Sequence, residues 1–238
     1  MAITTVLFDL DGTLLPMDQE QFVRAYFGAL SQKLMAVGYQ PKQLVAAVWQ
    51  GTEAMIRNDG AQTNESAFWS VFTQIFGEQA KEDLPHFDDF YQTDFDKVQA
   101  VCGYKKEAAE TLALVKELGF QTALATNPIF PAVATRKRIA WAGLSESDFA
   151  FYTTYENSRY CKPNLKYYEE VLARMGVSAE ECLMVGNDVG EDMVAQKLGM
   201  KVFLLTDCLI NKAEKDISKY PHGSFEELKT YIKAIRKA

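Results

Sequence analysis

The first apolar run of the chain lies at residues 3–8 and shows no strict alternation of apolar and polar positions. A run of β-branched and apolar residues of this kind is typical of a strand that is buried on both faces. After residue 103, similar short runs alternate with stretches of helical periodicity, which indicates βαβ units and a parallel sheet. The further predicted strands cover 120–126, 149–154, 181–187 and 201–206, and the predicted helices cover 105–119, 131–143, 164–176, 190–198 and 224–237.

Residues 17–94 have a different pattern, because apolar and aromatic residues follow the helical period and no strand-like run interrupts them. We therefore predict a three-layer, Rossmann-like α/β core with a parallel sheet, built from residues 1–16 and 95–238, with 17–94 inserted as an all-helical cap domain. The four predicted helices are one that ends near Gly38, then 41–56, 65–76 and 84–98. The aromatic residues of the third helix have helical spacing and are predicted to be core residues: Phe68, Trp69, Phe72 and Phe76.

Composition narrows the class of protein. With 48% hydrophobic and 24% charged residues among 238, the chain is expected to form a globular protein with a sizeable core. The formal net charge of −7 argues against nucleic-acid binding, which needs a concentrated basic surface. No apolar run approaches the roughly 18 residues that a membrane span needs. We expect a cytoplasmic protein whose four cysteines, which include no C-x-x-C pair, are reduced.

Polar residues stand at the ends of several predicted strands. In an open parallel sheet, ligands bind at the carboxyl ends of the strands, so these residues are candidates for one site. Carboxylates gathered at neutral pH call for a hard divalent cation, and Mg²⁺ prefers such oxygen ligands. The candidates are Asp9, Asp11 and Gly12 after the first strand, Thr126 and Asn127 at the second, Lys162 before the helix at 164–176, and Asn187, Asp188 and Asp192 after the strand at 181–187.

These side chains suit phosphoryl transfer. One aspartate can act as a nucleophile and form an acyl phosphate, and a second carboxylate can protonate the leaving oxygen and then activate water. A cation offsets the repulsion between a carboxylate and the incoming phosphate. Lys162 would neutralise one phosphoryl oxygen, and the Thr126 hydroxyl would hydrogen-bond another. Gly12 would permit a tight backbone turn beside the ligand.

The segments DLDGTLL, TN, KP and GNDVGED, in this order and spacing, resemble the four motifs of the haloacid dehalogenase superfamily of phosphatases. The resemblance implies a phosphatase with bound Mg²⁺ and a helical cap. It also implies a role for each matching residue: Asp9 as nucleophile and metal ligand, Asp11 as general acid/base with its backbone carbonyl on the metal, Thr126 and Asn127 in phosphate binding, Lys162 as charge stabiliser, Asp188 as metal ligand and Asp192 as its supporting acid.

The fourth motif departs from the commonest form of this family, in which an aspartate directly follows the glycine. Here Asn187 separates Gly186 from Asp188. Either Asp188 ligates the metal, or Asn187 occupies that place and Asp188 shifts to the rim. We favour Asp188, because a charged carboxylate suits Mg²⁺ better than an amide.

Three functions stay open on the sequence. The favoured one is a Mg²⁺-dependent phosphomonoesterase that acts on a small metabolite such as phosphoglycolate, a sugar phosphate or a nucleotide. The second is a sugar phosphomutase of the same superfamily, which must protect its phospho-aspartate from water. The third is a non-catalytic phosphate- or metal-binding protein, although binding alone does not require the nucleophile. The substrate is not determined, and the protein is expected to be a monomer or a homodimer.

Overall fold

The computed structural model describes residues 2–237, and its centre is one sheet of parallel strands. The strands are β1 (Thr5–Phe8), β2 (Gln121–Leu124), β3 (Phe151–Tyr152), β4 (Cys182–Gly186), β5 (Lys201–Leu205) and β6 (His222–Gly223). Their order across the sheet is β3-β2-β1-β4-β5-β6, and each neighbouring pair is parallel. The predicted α/β class is therefore confirmed. The short β6 was not predicted, because its two residues carry no apolar run.

Eight α-helices accompany the sheet among residues 2–237. They are α1 (Gln19–Met35), α2 (Pro41–Ile56), α3 (Asn64–Phe76), α4 (Leu84–Gln92), α5 (Lys106–Glu117), α6 (Ala132–Trp141), α7 (Leu165–Met175) and α8 (Phe225–Lys237). Every helix in this part of the chain falls short of the length or apolar character that a membrane span requires.

Two predicted helices differ in the structure. The helix predicted over 84–98 ends at Gln92, where the Thr93 hydroxyl bonds the Asp89 carbonyl, and a 3-10 helix follows over Asp94–Val101. The helix predicted over 190–198 is a 3-10 helix over Met193–Leu198. It has only six residues before Gly199 adopts a left-handed conformation, and short segments of this kind are typical of 3-10 geometry.

Strand β1 lies at the middle of the sheet, and its four residues are all buried. Its last residue, Phe8, is level with Leu124 of β2 and with Val185 of β4. The chain therefore leaves these three strands at the same edge of the sheet. This register brings the residues that follow each strand together, as the polar strand ends of the sequence predicted.

We call residues 17–94 the cap. Its two connections to the rest of the chain lie side by side, since Met17 and Cys102 form an antiparallel bridge and the Gly103 amide donates to the Pro16 carbonyl at 2.7 Å. One hydrophobic cluster runs from β1 into the cap helices without a break. Phe95, directly after the cap, has ring contacts both with Phe22 in α1 and with Trp141 in α6. The division into two domains at these boundaries stays a prediction.

The start of α3 is attached to loops that follow β2 and β3. Asn64 is fully buried, and its side-chain amide donates to the Pro128 carbonyl at 3.1 Å, while its own backbone amide donates to the Ser158 carbonyl at 2.8 Å. Asn58 donates to the Asn64 side-chain oxygen at 2.9 Å. The cap is thus held to the sheet by buried polar contacts as well as by apolar packing.

Asn64→Ala is expected to lower the free energy of unfolding by about 1–3 kcal/mol, because it leaves buried partners without a hydrogen bond. Urea denaturation followed by circular dichroism measures this change. Gln74→Ala, an exposed amide on the same helix, is the matched control and should change stability by less than about 0.5 kcal/mol. Equal stabilities of the two variants would contradict the attachment described here.

Candidate active site

The charged centre of the site is a buried lysine between two aspartates. The Lys162 ammonium donates to Asp9 Oδ1 at 2.9 Å and to Asp192 Oδ1 at 2.6 Å. Lys162 and Asp192 are almost fully buried, and Asp9 is only 7% exposed. Asp9, Lys162 and Asp192 are far apart in the sequence but meet at the edge of the sheet where β1 and β4 end.

Electrostatics favour a charged lysine here. Burial disfavours the ammonium, but Asp192 and Asp9 outweigh it and hold the pKa of Lys162 well above its usual range. A buried cation with two carboxylate partners is fixed in place, since moving it would leave charges unpaired. The site therefore presents one permanent positive charge directly against Asp9.

Asp11, two residues after Asp9, faces a different cation. Its Oδ2 forms an ion pair with Arg138 of α6, and its Oδ1 is buried without a hydrogen-bond partner. Burial raises the pKa of Asp11, and the Arg138 guanidinium opposes that shift. The two aspartates of the first motif therefore have separate surroundings, which is what two different roles in proton and phosphoryl transfer require.

Arg138 was not predicted from the sequence. It is fully buried, its guanidinium lies 4.6 Å from the centre of the Phe130 ring, and its Nε donates to the Ala134 carbonyl at 3.4 Å. The helical period could have indicated that Arg138 is buried, because it lies one turn after buried Ala134 and one turn before buried Ala142. A cation at that position of an apolar face needs a buried anionic partner, and Asp11 provides it.

The loop after β1 is connected to the loop after β4. The Thr13 hydroxyl lies 3.1 Å from Asp9 Oδ2 and 2.9 Å from Asn187 Oδ1. Gly12, with φ of +81°, comes so close to the Asn187 amide that a Cβ at this position would overlap it. The predicted tight turn at Gly12 is present, and it brings the amide oxygen of Asn187 to the side of Asp9.

Asp188 and Asp192 belong to a compact turn. Asp188 Oδ1 accepts from the backbone amides of Gly190 at 2.6 Å and Glu191 at 2.9 Å, while Asp192 Oδ2 accepts from the Asp188 amide at 2.9 Å. Gly186 at the end of β4 leaves space for the Asp192 carboxylate, which a Cβ there would overlap. Asp192 thus supports both the turn and Lys162, and Asp188 is half-buried at its outer side.

Thr126 and Asn127 lie at the end of β2, next to the same centre. Thr126 is buried and lines the cavity described below, and its carbonyl accepts from the Tyr167 hydroxyl at 2.8 Å. Asn127 uses its side-chain oxygen to accept from the Lys162 amide at 3.2 Å and its nitrogen to donate to Glu191 at 3.0 Å. Burial raises the pKa of Glu191 to about 7. Sequence reasoning missed this glutamate, since nothing but its place beside Asp192 marks it.

These groups form the floor of a cavity of about 360 Å³ between the sheet edge and the cap. Asp9, Asp11, Thr126, Asn187 and Asp188 line the floor, and the walls above are mostly aromatic and aliphatic side chains. The four aromatic residues of α3 were predicted to be core residues, and this prediction is only partly correct. Phe72 is fully buried in the core, whereas Phe68 and Trp69 also line the cavity, because the first half of α3 lies near the sheet edge.

The donor groups of the floor fit a divalent cation of the hard type. Among residues 2–237 there is no cluster of three or more His, Cys, Asp or Glu side chains arranged to hold a metal. Mg²⁺ does not need one, since it is commonly held by one or two carboxylates and keeps several waters. Asp9 supplies a carboxylate and Asn187 an amide oxygen on either side of the Thr13 hydroxyl, and the buried Asp11 Oδ1 still lacks a partner.

Comparisons with known proteins agree with the fold. A family model described as haloacid dehalogenase-like hydrolase matches residues 3–215. The chain is 24% identical over 199 residues to the pyrophosphatase PpaX of Bacillus velezensis, which covers 84% of this chain and 81% of that protein. It is 31% identical over 107 residues to the glyceraldehyde 3-phosphate phosphatase of Methanothermobacter thermautotrophicus, with 44% and 46% covered.

Solved structures show the same architecture. A 2-haloacid dehalogenase from Pseudomonas syringae pv. Tomato aligns with a TM-score of 0.64 at 22% identity, over 99% of this chain and 100% of the other. A phosphatase from Thermococcus onnurineus aligns with a TM-score of 0.60 at 17% identity, over 97% and 98% of the two chains. At these identities the likeness concerns the fold alone.

Proposed function

Because the chain belongs to the haloacid dehalogenase-like hydrolase family, we propose that it is a phosphatase that hydrolyses a small phosphate ester with Asp9 as the nucleophile. The observation that carries the proposal is the contact of Lys162 with both Asp9 and Asp192 at the floor of the cavity beneath the cap. A carboxylate that binds a buried ammonium is held in one orientation, and an oriented nucleophile is what covalent phosphoryl transfer needs.

The chemistry follows from the two aspartates. An Asp9 oxygen attacks phosphorus, the bond from phosphorus to the ester oxygen breaks, and the Asp11 carboxyl donates a proton to the departing alcohol. The Asp11 carboxylate then takes a proton from water that attacks the phospho-aspartate, which releases phosphate and restores Asp9. Lys162 and the Thr126 hydroxyl neutralise and bind phosphoryl oxygens during both steps.

Arg138 has a positioning role in this proposal. Its guanidinium pairs with one Asp11 oxygen and leaves the other oxygen buried and free of hydrogen bonds. This oxygen therefore has no other hydrogen bond to give up when Asp11 exchanges a proton with the leaving group or with water. The arrangement also holds Asp11 apart from the Lys162 centre, so that the nucleophile and the acid do not compete for one cation.

Mg²⁺ is the proposed cofactor, and Asp9, the Asp11 carbonyl and the fourth motif would hold it. When bound, it supplies positive charge that offsets the repulsion between phosphate and carboxylates. The contacts favour Asn187 over Asp188 as the ligand of the fourth motif, contrary to the preference drawn from charge alone. Asn187 Oδ1 lies beside Asp9 across the Thr13 hydroxyl, whereas Asp188 Oδ1 accepts from two backbone amides of its own turn.

The proposal is tested by hydrolysis of p-nitrophenyl phosphate with Mg²⁺ and, in parallel, with EDTA. Turnover that depends on Mg²⁺ is the expected result. Mg²⁺ binding without turnover of this or any other ester would instead support the non-catalytic protein. A stable phosphoenzyme that transfers its phosphate to a sugar phosphate, with little release to water, would support the phosphomutase.

Asn187→Ala is expected to raise the Mg²⁺ concentration for half-maximal activity by at least about tenfold, because even the loss of an outer-shell partner typically weakens metal binding about 10–100-fold. Asp188→Ala should raise it by less. Activity titrated with Mg²⁺ compares the two variants directly. The reverse order would assign the ligand to Asp188 and contradict the role proposed for Asn187.

A further inference from the structure

We propose that the substrate is a phosphate ester whose alcohol part is apolar, an aryl or branched hydrocarbon group that occupies the cap side of the cavity. The inference rests on the proposed function. It differs from the polar metabolites that the sequence suggested, because the walls of this cavity provide few groups that could bind a sugar, a carboxylate or a second phosphate.

The walls are built from rings and branched side chains. Phe22 and Tyr26 of α1 each pack on the Phe130 ring, with centroids 6.1 and 5.3 Å apart, and Trp69 packs on Phe87 at 5.2 Å. All of these residues face the cavity. A surface of packed rings beside the phosphoryl site favours an apolar group, since its burial removes hydrocarbon from water on both sides of the contact.

Three of the hydroxyl groups of the walls are already in use. The Tyr26 and Tyr91 hydroxyls bond each other at 2.8 Å, and the Thr52 hydroxyl donates to the Val48 carbonyl at 2.8 Å. The Trp69 indole N–H is buried in the same wall without a hydrogen-bond partner among residues 2–237 and could bind one hydroxyl. The other hydroxyls of a polyol would have to break the existing bonds or stay unpaired, and either costs free energy. Sugar phosphates therefore fit the walls poorly.

The charges of the lining residues also disfavour a substrate with a second anionic group. Of the described residues that line the cavity, Lys212 alone has a cationic side chain, while Asp9, Asp11, Asp188, Glu191 and Asp192 are acidic. The two buried cations nearby, Lys162 and Arg138, are paired with aspartates. A substrate with a carboxylate or a second phosphate at its far end could find a counter-ion only in Lys212, and along the rest of the walls it would meet aromatic rings.

The entrance is apolar as well. Trp49 and Ile56 of α2 line the cavity and are still 50% and 48% exposed to solvent. Large apolar side chains that stay exposed at the mouth of a pocket mark a place where apolar ligand surface is bound. The volume of about 360 Å³ is in the usual range of small-molecule sites and exceeds what a phosphoryl group alone would fill.

The test compares three esters of primary alcohols, so that leaving-group reactivity is similar: 2-phenylethyl phosphate, ethyl phosphate and glycerol 3-phosphate. We expect kcat/KM for 2-phenylethyl phosphate to exceed that for each of the other two by about 50-fold, from the added apolar surface buried. Ile56→Ser should reduce this preference by about threefold or more. Ile75→Ser, at a similarly exposed isoleucine on α3 outside the cavity, should leave the preference unchanged.

Glycerol 3-phosphate turned over as well as 2-phenylethyl phosphate would overturn the inference. So would equal preferences in Ile56→Ser and Ile75→Ser. If Mg²⁺-dependent hydrolysis of p-nitrophenyl phosphate persists in either case, the proposed phosphatase function stands and only the substrate class is wrong. A protein that hydrolyses none of these esters would overturn both.

Discussion

Asp9→Asn is expected to lower the phosphatase kcat by about 10³-fold or more, because an amide cannot form the acyl phosphate. The substitution keeps the shape of the side chain, and an amide oxygen can still accept from Lys162, whose contact with Asp192 is not altered. We therefore expect the variant to fold. Steady-state hydrolysis of p-nitrophenyl phosphate measures the loss, and acid-quenched labelling with a radioactive phosphate ester shows whether a phosphoenzyme forms.

The matched control is Asp216→Asn, an exposed aspartate in the loop between β5 and β6 that lies outside the cavity. It should retain the turnover of the unmodified protein. Asp9→Asn that keeps more than a tenth of the original kcat, or that still forms a phosphoenzyme that survives the acid quench and is labile in base, would assign the nucleophile to another residue. The circular dichroism spectrum of each variant checks that a loss of turnover does not come from unfolding.

Lys162→Met is the second substitution expected to have a large effect, and it should lower both activity and stability. The substitution removes the single ammonium that contacts Asp9 and Asp192, which are buried carboxylates. Two negative charges then face each other without a counter-ion. Breaking a buried pair by removing one partner typically costs about 3–5 kcal/mol, so the free energy of unfolding should fall by this amount.

Activity should fall by about 10²–10³-fold at the same time, because Lys162 also neutralises a phosphoryl oxygen in the proposed mechanism. Urea denaturation and kcat measured on the folded fraction separate the two effects. Lys197→Met, an exposed lysine near the same turn, is the control and should change neither by much. A Lys162→Met protein with unchanged stability would mean that the contacts at Asp9 and Asp192 do not carry the charge balance described here.

The pattern along the chain predicted the architecture well, because the information was local. β-branched apolar runs such as residues 3–8 separate from helical periods without reference to the rest of the fold. Parallel strands must also place their carboxyl ends at one edge, so the meeting of Asp9, Thr126 and Asn187 follows once βαβ units are recognised. Two predicted helices were wrong: the one over 84–98 ends where the Thr93 hydroxyl bonds the Asp89 carbonyl, and the one over 190–198 is a short 3-10 helix before Gly199.

The partner of each charge could not be predicted in the same way. Arg138 is 127 residues from Asp11 along the chain, and only the packing of α6 against the loop after β1 brings the two together. Burial then makes the pairing obligatory, since an unpaired charge at either position would be costly. The same holds for Asn187, which is linked to Asp9 through the Thr13 hydroxyl because the turn at Gly12 passes close to its amide.

The sequence by itself determined the α/β class, the inserted helices and the set of acidic residues at the strand ends, because each depends on local periodicity and on the direction of parallel strands. The tertiary structure decided which cation faces which aspartate and that the space above them is lined by rings. Both depend on contacts between segments that are distant in the sequence. The helical spacing of Phe68 and Trp69, for example, is the same whether these residues face a core or a cavity.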